Sequence, residues 1–111
     1  MSRQPRVKCA GAFYHVTSAG VHESAIFLDD TDRVIFLELL TSCVDKFKWR
    51  VHSYCLMTTH YHLLIETPED TISEGMKYLN GHYSIRFNRR HSRKGHLLKE
   101  RYWSKLIDSS G

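Results

Sequence analysis

The sequence predicts an α+β domain of ferredoxin-like order, β-α-β-β-α-β, with a four-stranded antiparallel sheet and both helices on one face. Three observations carry that expectation. Apolar residues alternate with polar ones over three short runs rich in β-branched and aromatic types. Two longer stretches instead place apolar residues at helical spacing. No repeat, linker or low-complexity tract interrupts residues 1–111, which are therefore treated as a single domain.

The elements follow in order. AFYHVTS at 12–18 reads as the first strand. Asp29, Asp30 and Asp32 suit a helix N-terminus, where carboxylates accept the unpaired backbone N–H groups of the first turn. Phe36, Leu40, Cys43 and Phe47 then recur at spacings of four, three and four, one apolar face of a helix running to about Lys46. WRVHSYCLM at 49–57 reads as a second strand, with Trp49, Val51, Ser53 and Cys55 on one face. A Thr58-Thr59 turn leads into a third strand, HYHLLIET at 60–67, which Pro68 ends. Thr71 and Glu74 have the spacing of a capping box for a second helix. Ile72, Met76, Leu79, Tyr83 and Phe87 form its apolar stripe as far as about His91. Gly75 and Gly81 each weaken that helix by about 1 kcal/mol relative to Ala and are read as tolerated. SRKG at 92–95 is a loop, RYWSKLID at 101–108 a fourth strand, and SSG a frayed end. One face of such a sheet stays open to a partner chain, a further segment or nucleic acid.

Composition narrows the function classes. The chain is 41% hydrophobic, 25% charged and 12% aromatic at a net charge of +4, which excludes disordered and collagen-like classes. No apolar run approaches the roughly 20 residues of a membrane helix, and MSRQPRVK lacks the apolar stretch of a signal peptide. Cys9, Cys43 and Cys55 are odd in number and widely spaced, which suits reduced thiols in a cytoplasmic protein and fits no CxxC zinc site. The charge is concentrated. Residues 86–105 hold eight basic side chains (Arg86, Arg89, Arg90, Arg93, Lys94, Lys99, Arg101 and Lys105) against Glu100 alone. That segment carries +7, so the rest of the +4 chain sums to −3. Such a block is either a solvated helix end or the footprint of a polyanion.

The sharpest chemical feature is Thr59-His60-Tyr61-His62-Leu63-Leu64. On a strand, His60 and His62 point to one face while Tyr61, Leu63 and Ile65 point to the other, against the helices. Two neutral imidazoles at this spacing can hold one divalent ion and leave positions open for a substrate phosphate. An HxH pair alone specifies an ion loosely, and by itself it reads more simply as two polar residues on the exposed face of a half-buried strand. His15 is expected beside His62 in a structural or supporting role, because the first and third strands are neighbours in this topology. His82, His91 and His96 are assigned to the basic helix and loop.

Four blocks in order, GAFYHVTSAG, FLDDTDRVIFLELL, WRVHSYCLMTTHYHLLIETP and GMKYLNGHYSIRFNRRHSRKGHLLKERYWSKLID, resemble the single-tyrosine HUH transposases. The likeness is to the branch of REP-associated tyrosine transposases, related to small insertion-sequence transposases, and it covers about residues 3–108. The resemblance implies that His60 and His62 bind Mg²⁺ or Mn²⁺, that the substrate is single-stranded or hairpin DNA, and that the protein is a homodimer. It implies nicking and rejoining through a 5′-phosphotyrosine link, and a metal site that is completed by a later helix. Arg86, Arg89, Arg90, Arg93, Lys94, Arg101, Tyr102 and Trp103 are the expected DNA contacts, cations for phosphates and rings for unpaired bases.

The chain departs from the pattern twice. Thr58-Thr59 stands where the family commonly has Pro-Asn. The family's nucleophilic tyrosine lies on a helix beyond the fourth strand, in a segment resembling YIHLNP, and the sequence is expected to be truncated before it. None of Tyr14, Tyr54, Tyr61, Tyr78, Tyr83 and Tyr102 is assigned as the nucleophile. The alternative is a single-stranded nucleic-acid-binding module without chemistry of its own, using its sheet as RNA-binding domains do.

Overall fold

A computed structural model describes residues 12–108; Cys9 and the terminal Ser109-Ser110-Gly111 lie outside the described residues. The order is β1 (Ala12–Ala19), α1 (Asp30–Phe47), β2 (Arg50–Leu56), β3 (His60–Thr67), α2 (Ile72–Arg90) and β4 (Trp103–Asp108), with one 3-10 turn at Val21–Glu23. The strands form one antiparallel sheet in the order β2-β3-β1-β4, the ferredoxin-like arrangement that the pattern predicts.

Strand alternation explains which face is covered. Ala12, Tyr14, Val16 and Ser18 of β1 and Tyr61, Leu63 and Ile65 of β3 are buried beneath the helices. The core continues into Phe36, Leu40 and Cys43 of α1 and into the whole expected stripe of α2, from Ile72 to Phe87. The Phe36 ring lies 4.6 Å from Tyr61 and 5.4 Å from Tyr83, so the two helices and the sheet meet around it. Burial in this core pushes the Cys43 thiol up to about 12, which leaves it an inert hydrophobic filler.

The α1 N-terminus forms as expected: Asp29 caps it by accepting the Asp32 N–H at 3.0 Å. The acidic cluster also clasps the far end of α2. Arg90 makes two hydrogen bonds to the Asp29 carboxylate and one to Asp32, at 2.8 to 3.0 Å, and His91 Nε2 lies 2.9 Å from Asp32.

Four expectations need correction. The capping box does not close: Thr71 Oγ1 instead accepts from Trp49 Nε1 at 3.1 Å and donates to the Phe47 carbonyl at 3.3 Å. Gly75 is required, because a Cβ there would meet the buried Trp49 indole, whereas one at Gly81 would meet nothing. The β2 face breaks at a bulge between Val51 and Ser53. The extra residue reverses the alternation, so Val51 shares a face with Tyr54 and Leu56, while Ser53 and Cys55 fall on the opposite, open face. Finally, β4 begins at Trp103. The preceding stretch buries Leu97 and Leu98 and bridges Leu98 to Gly20, which leaves Arg101 and Tyr102 outside the strand.

Candidate functional site

The open face is assembled from strand register. Cys55, His62, Thr17 and Trp103 are successive cross-strand neighbours from one edge of the sheet to the other. The next outward-facing row holds Ser53, Leu64, His15 and Lys105. His60, one pleat from His62, pairs with Ala19 at the end of β1. His15 therefore lies beside His62 as the topology requires, with its Nε2 3.1 Å from His62 Nδ1 and the rings stacked at 5.2 Å.

Both expected ligands are held by threonine hydroxyls. Thr17 Oγ1 is 2.9 Å from His62 Nδ1, and Thr59 Oγ1 is 3.2 Å from His60 Nδ1. The hydrogen bonds of both rings thus fall on Nδ1. Desolvation, followed by the neighbouring His60 and His15 rings, lowers the His62 pKa and favours the neutral imidazole that a metal needs. The His60 and His62 ring centroids are 5.0 Å apart. Rings sharing one ion at ordinary imidazole–metal distances lie roughly 5 Å apart, so this separation is one at which both rings could reach a single cation. Among the described residues no group of three His, Cys, Asp or Glu side chains is arranged to hold an ion. Glu66, two pleats from His62 on the same face, is taken up by His52 at 3.0 Å and Arg50 at 4.0 Å.

The basic segment reaches the same end of the sheet. Lys99 N–H donates to the Ala19 carbonyl at 2.9 Å, and Ala19 pairs with His60. Two strand spacings place the Lys99 backbone within about 10 Å of His60. Arg86, Arg89, Arg93, Lys94, Lys99 and Arg101 are exposed, and Lys105 stands on the open face beside His15. Arg93 lies over the Phe87 ring at 5.6 Å. Arg90 differs from the rest, because its guanidinium is neutralised by Asp29 and Asp32. Trp103 is 51% exposed and meets His15 edge-on at 5.3 Å, whereas half-buried Tyr102 packs against the core and reaches Ser73.

None of the tyrosines points at the histidine pair. Tyr61 is fully buried, its hydroxyl donating to Asn80, and burial drives its pKa upward. Tyr83 donates to the Ile26 carbonyl at 2.6 Å, and Tyr14 is also buried. Tyr78 packs beside Phe47 and His82, while Tyr54 shares the helix-side face of β2. Sequence reasoning missed Thr17 and Thr59 as partners of the histidines. Thr17 carried a readable signal: it follows His15 by two on β1, so it had to share the open face.

The family model of IS200-like transposases matches residues 9–110. The chain belongs to that family. A search of curated proteins finds no match. Among solved structures, a REP-associated tyrosine transposase bound to a REP hairpin superposes with a TM-score of 0.71 at 16% identity. The match covers 99% of this chain and 64% of that one, so the present sequence spans under two thirds of that transposase's length. A candidate transposase from Deinococcus radiodurans R1 gives a TM-score of 0.71 at 17% identity, covering 97% of this chain and 87% of that one. At such identities these two likenesses establish the fold. His60 and His62 thus stand on the open face of a sheet whose fold the solved structures share.

Among the described residues, no helix is long and apolar enough to cross a membrane.

Proposed function

We propose that this domain binds single-stranded or hairpin DNA and supports its nicking and rejoining by metal-assisted phosphotyrosine chemistry. The observation that carries the reading is the outward pair of His60 and His62, each with Nδ1 beside a threonine hydroxyl, in a chain of the IS200-like transposase family. The solved relative bound to a REP hairpin supports the substrate class.

His60 and His62 would hold Mg²⁺ or Mn²⁺ through Nε2. When bound, such an ion would supply Lewis-acid polarisation of a phosphate oxygen. This chain's own residues bind and orient the strand. Exposed Arg86, Arg89, Arg93, Lys94, Lys99 and Arg101 neutralise phosphates, and the exposed Trp103 ring offers a base a stacking surface worth about 1–3 kcal/mol. The attacking oxygen is a tyrosine phenol. Its bond to phosphorus forms as the bond from phosphorus to the 3′ oxygen breaks; the phenol gives up its proton and the 3′ oxygen gains one. A phenol pKa of about 10 makes the tyrosine a better leaving group than an alkoxide, so the step reverses for rejoining. A homodimer completes the proposal, with the β2 edge as the surface on which two sheets meet.

A second reading, binding without chemistry, draws on the placement of the six tyrosines, of which five are buried in or packed against the core. A denaturing gel of the chain with labelled hairpin DNA, with and without Mn²⁺, separates the two. A metal-dependent band at the combined mass is the transposase result. Retention on a native gel without such a band assigns the domain to binding alone.

A further inference from the structure

We propose that His15 and Thr17 are positioning residues that fix the tautomer of His62 and so present its Nε2 lone pair to the metal. This rests on the metal reading above, but it makes a claim about the metal-free protein that stands or falls separately.

A neutral imidazole has one N–H and one lone pair, so a ring that ligates through Nε2 must carry its proton on Nδ1. An unassisted histidine side chain favours the opposite form, with the proton on Nε2. The protein must therefore supply an acceptor at Nδ1, and at His62 it supplies two. Thr17 Oγ1 lies 2.9 Å away and His15 Nε2 lies 3.1 Å away, both across the β1–β3 ladder. Strand pairing sets both positions: Thr17 is the direct register partner of His62, and His15 is its diagonal neighbour, opposite Leu64. The His15 ring is itself held from the far side by the edge of Trp103, at 5.3 Å.

The same contact explains why His15 is not a third ligand. Its Nε2 is directed at His62 Nδ1 and is not available to an ion. His60 repeats the device with one acceptor, Thr59 Oγ1 at 3.2 Å from its Nδ1, contributed by the turn just before β3. The hydroxyl of the Thr58-Thr59 turn thereby takes a defined role beside the first histidine.

A competing arrangement would place the same atoms at the same distances. Thr17 O–H and His15 Nε2–H would both donate to His62 Nδ1, and His62 would then carry its proton on Nε2, where no metal could bind. Long-range ¹H–¹⁵N correlation spectra of the metal-free protein at neutral pH distinguish the two. The wild type is expected to show His62 with its proton on Nδ1, and the double variant H15A/T17V to shift toward the Nε2–H form. Mn²⁺ affinity by calorimetry should fall about 10- to 100-fold in that variant, the usual effect of losing such outer partners. Thr17→Ser, which keeps the hydroxyl, should restore both readings when introduced with His15 intact. A wild-type His62 in the Nε2–H form, or an unchanged tautomer in the double variant, overturns the proposal. Loss of Mn²⁺ binding in the wild type alone, with the tautomer as expected, overturns the metal reading and leaves the positioning claim intact.

Discussion

Arg89 and Arg90 are adjacent basic residues that the structure puts to different uses. Arg90 bridges Asp29 and Asp32, the second of which is fully buried, while Arg89 is exposed at the end of α2. Arg90→Ala should lower the midpoint of urea unfolding, because it strips a buried carboxylate of a charged partner. Arg89→Ala should leave stability unchanged and reduce the salt slope of single-stranded DNA binding by about one phosphate contact. The clasp also has a pH signature. Hydrogen bonds from Arg90, then the Asp32 backbone N–H, hold the Asp29 carboxyl at about 2 against an ordinary 3.8. The unfolded chain therefore binds the proton more tightly, and the contribution of Asp29 is present above pH 3.8 and lost as pH falls toward 2. Asp29→Asn should flatten the stability profile across that window, as read by acid titration of the circular dichroism signal.

At the scale of elements, what was legible followed from periodicity. The stripe from Ile72 to Phe87 and the alternation of Tyr61 against His60 and His62 state the buried face outright, and the structure places each there. The β2 face was not legible, since nothing in WRVHSYCLM marks the bulge that reverses its alternation. The two α2 glycines look alike in sequence and differ only through a residue 26 positions earlier, Trp49, whose indole lies against Gly75. Gly75→Ala should cost about 1–3 kcal/mol by overpacking against a ring that is anchored to Thr71. Gly81→Ala meets open space and should raise the melting temperature, gaining about 0.5–1 kcal/mol from helix propensity. Thermal denaturation of the two variants side by side checks both signs.

The whole molecule divides its labour between the two faces of one sheet. Helices cover one face and generate stability, while the other carries histidines, threonines, Lys105 and an exposed indole drawn from β1, β3 and β4. The histidine pair was visible in sequence because its two members sit two residues apart on one strand. Its supporting residues were harder to see, because Thr17 and His15 meet His62 only through sheet pairing across 45 and 47 positions of chain. The basic segment joins the site by a similar route, through the backbone bond from Lys99 to Ala19. The central claim is that this face is a metal-dependent DNA site built on His60 and His62. Calorimetric titration of Mn²⁺ into the wild type, His60→Ala and His62→Ala tests it most directly. The account predicts one ion per domain in the wild type and no measurable binding in either variant. Equal binding by all three proteins, or none by the wild type, would contradict it.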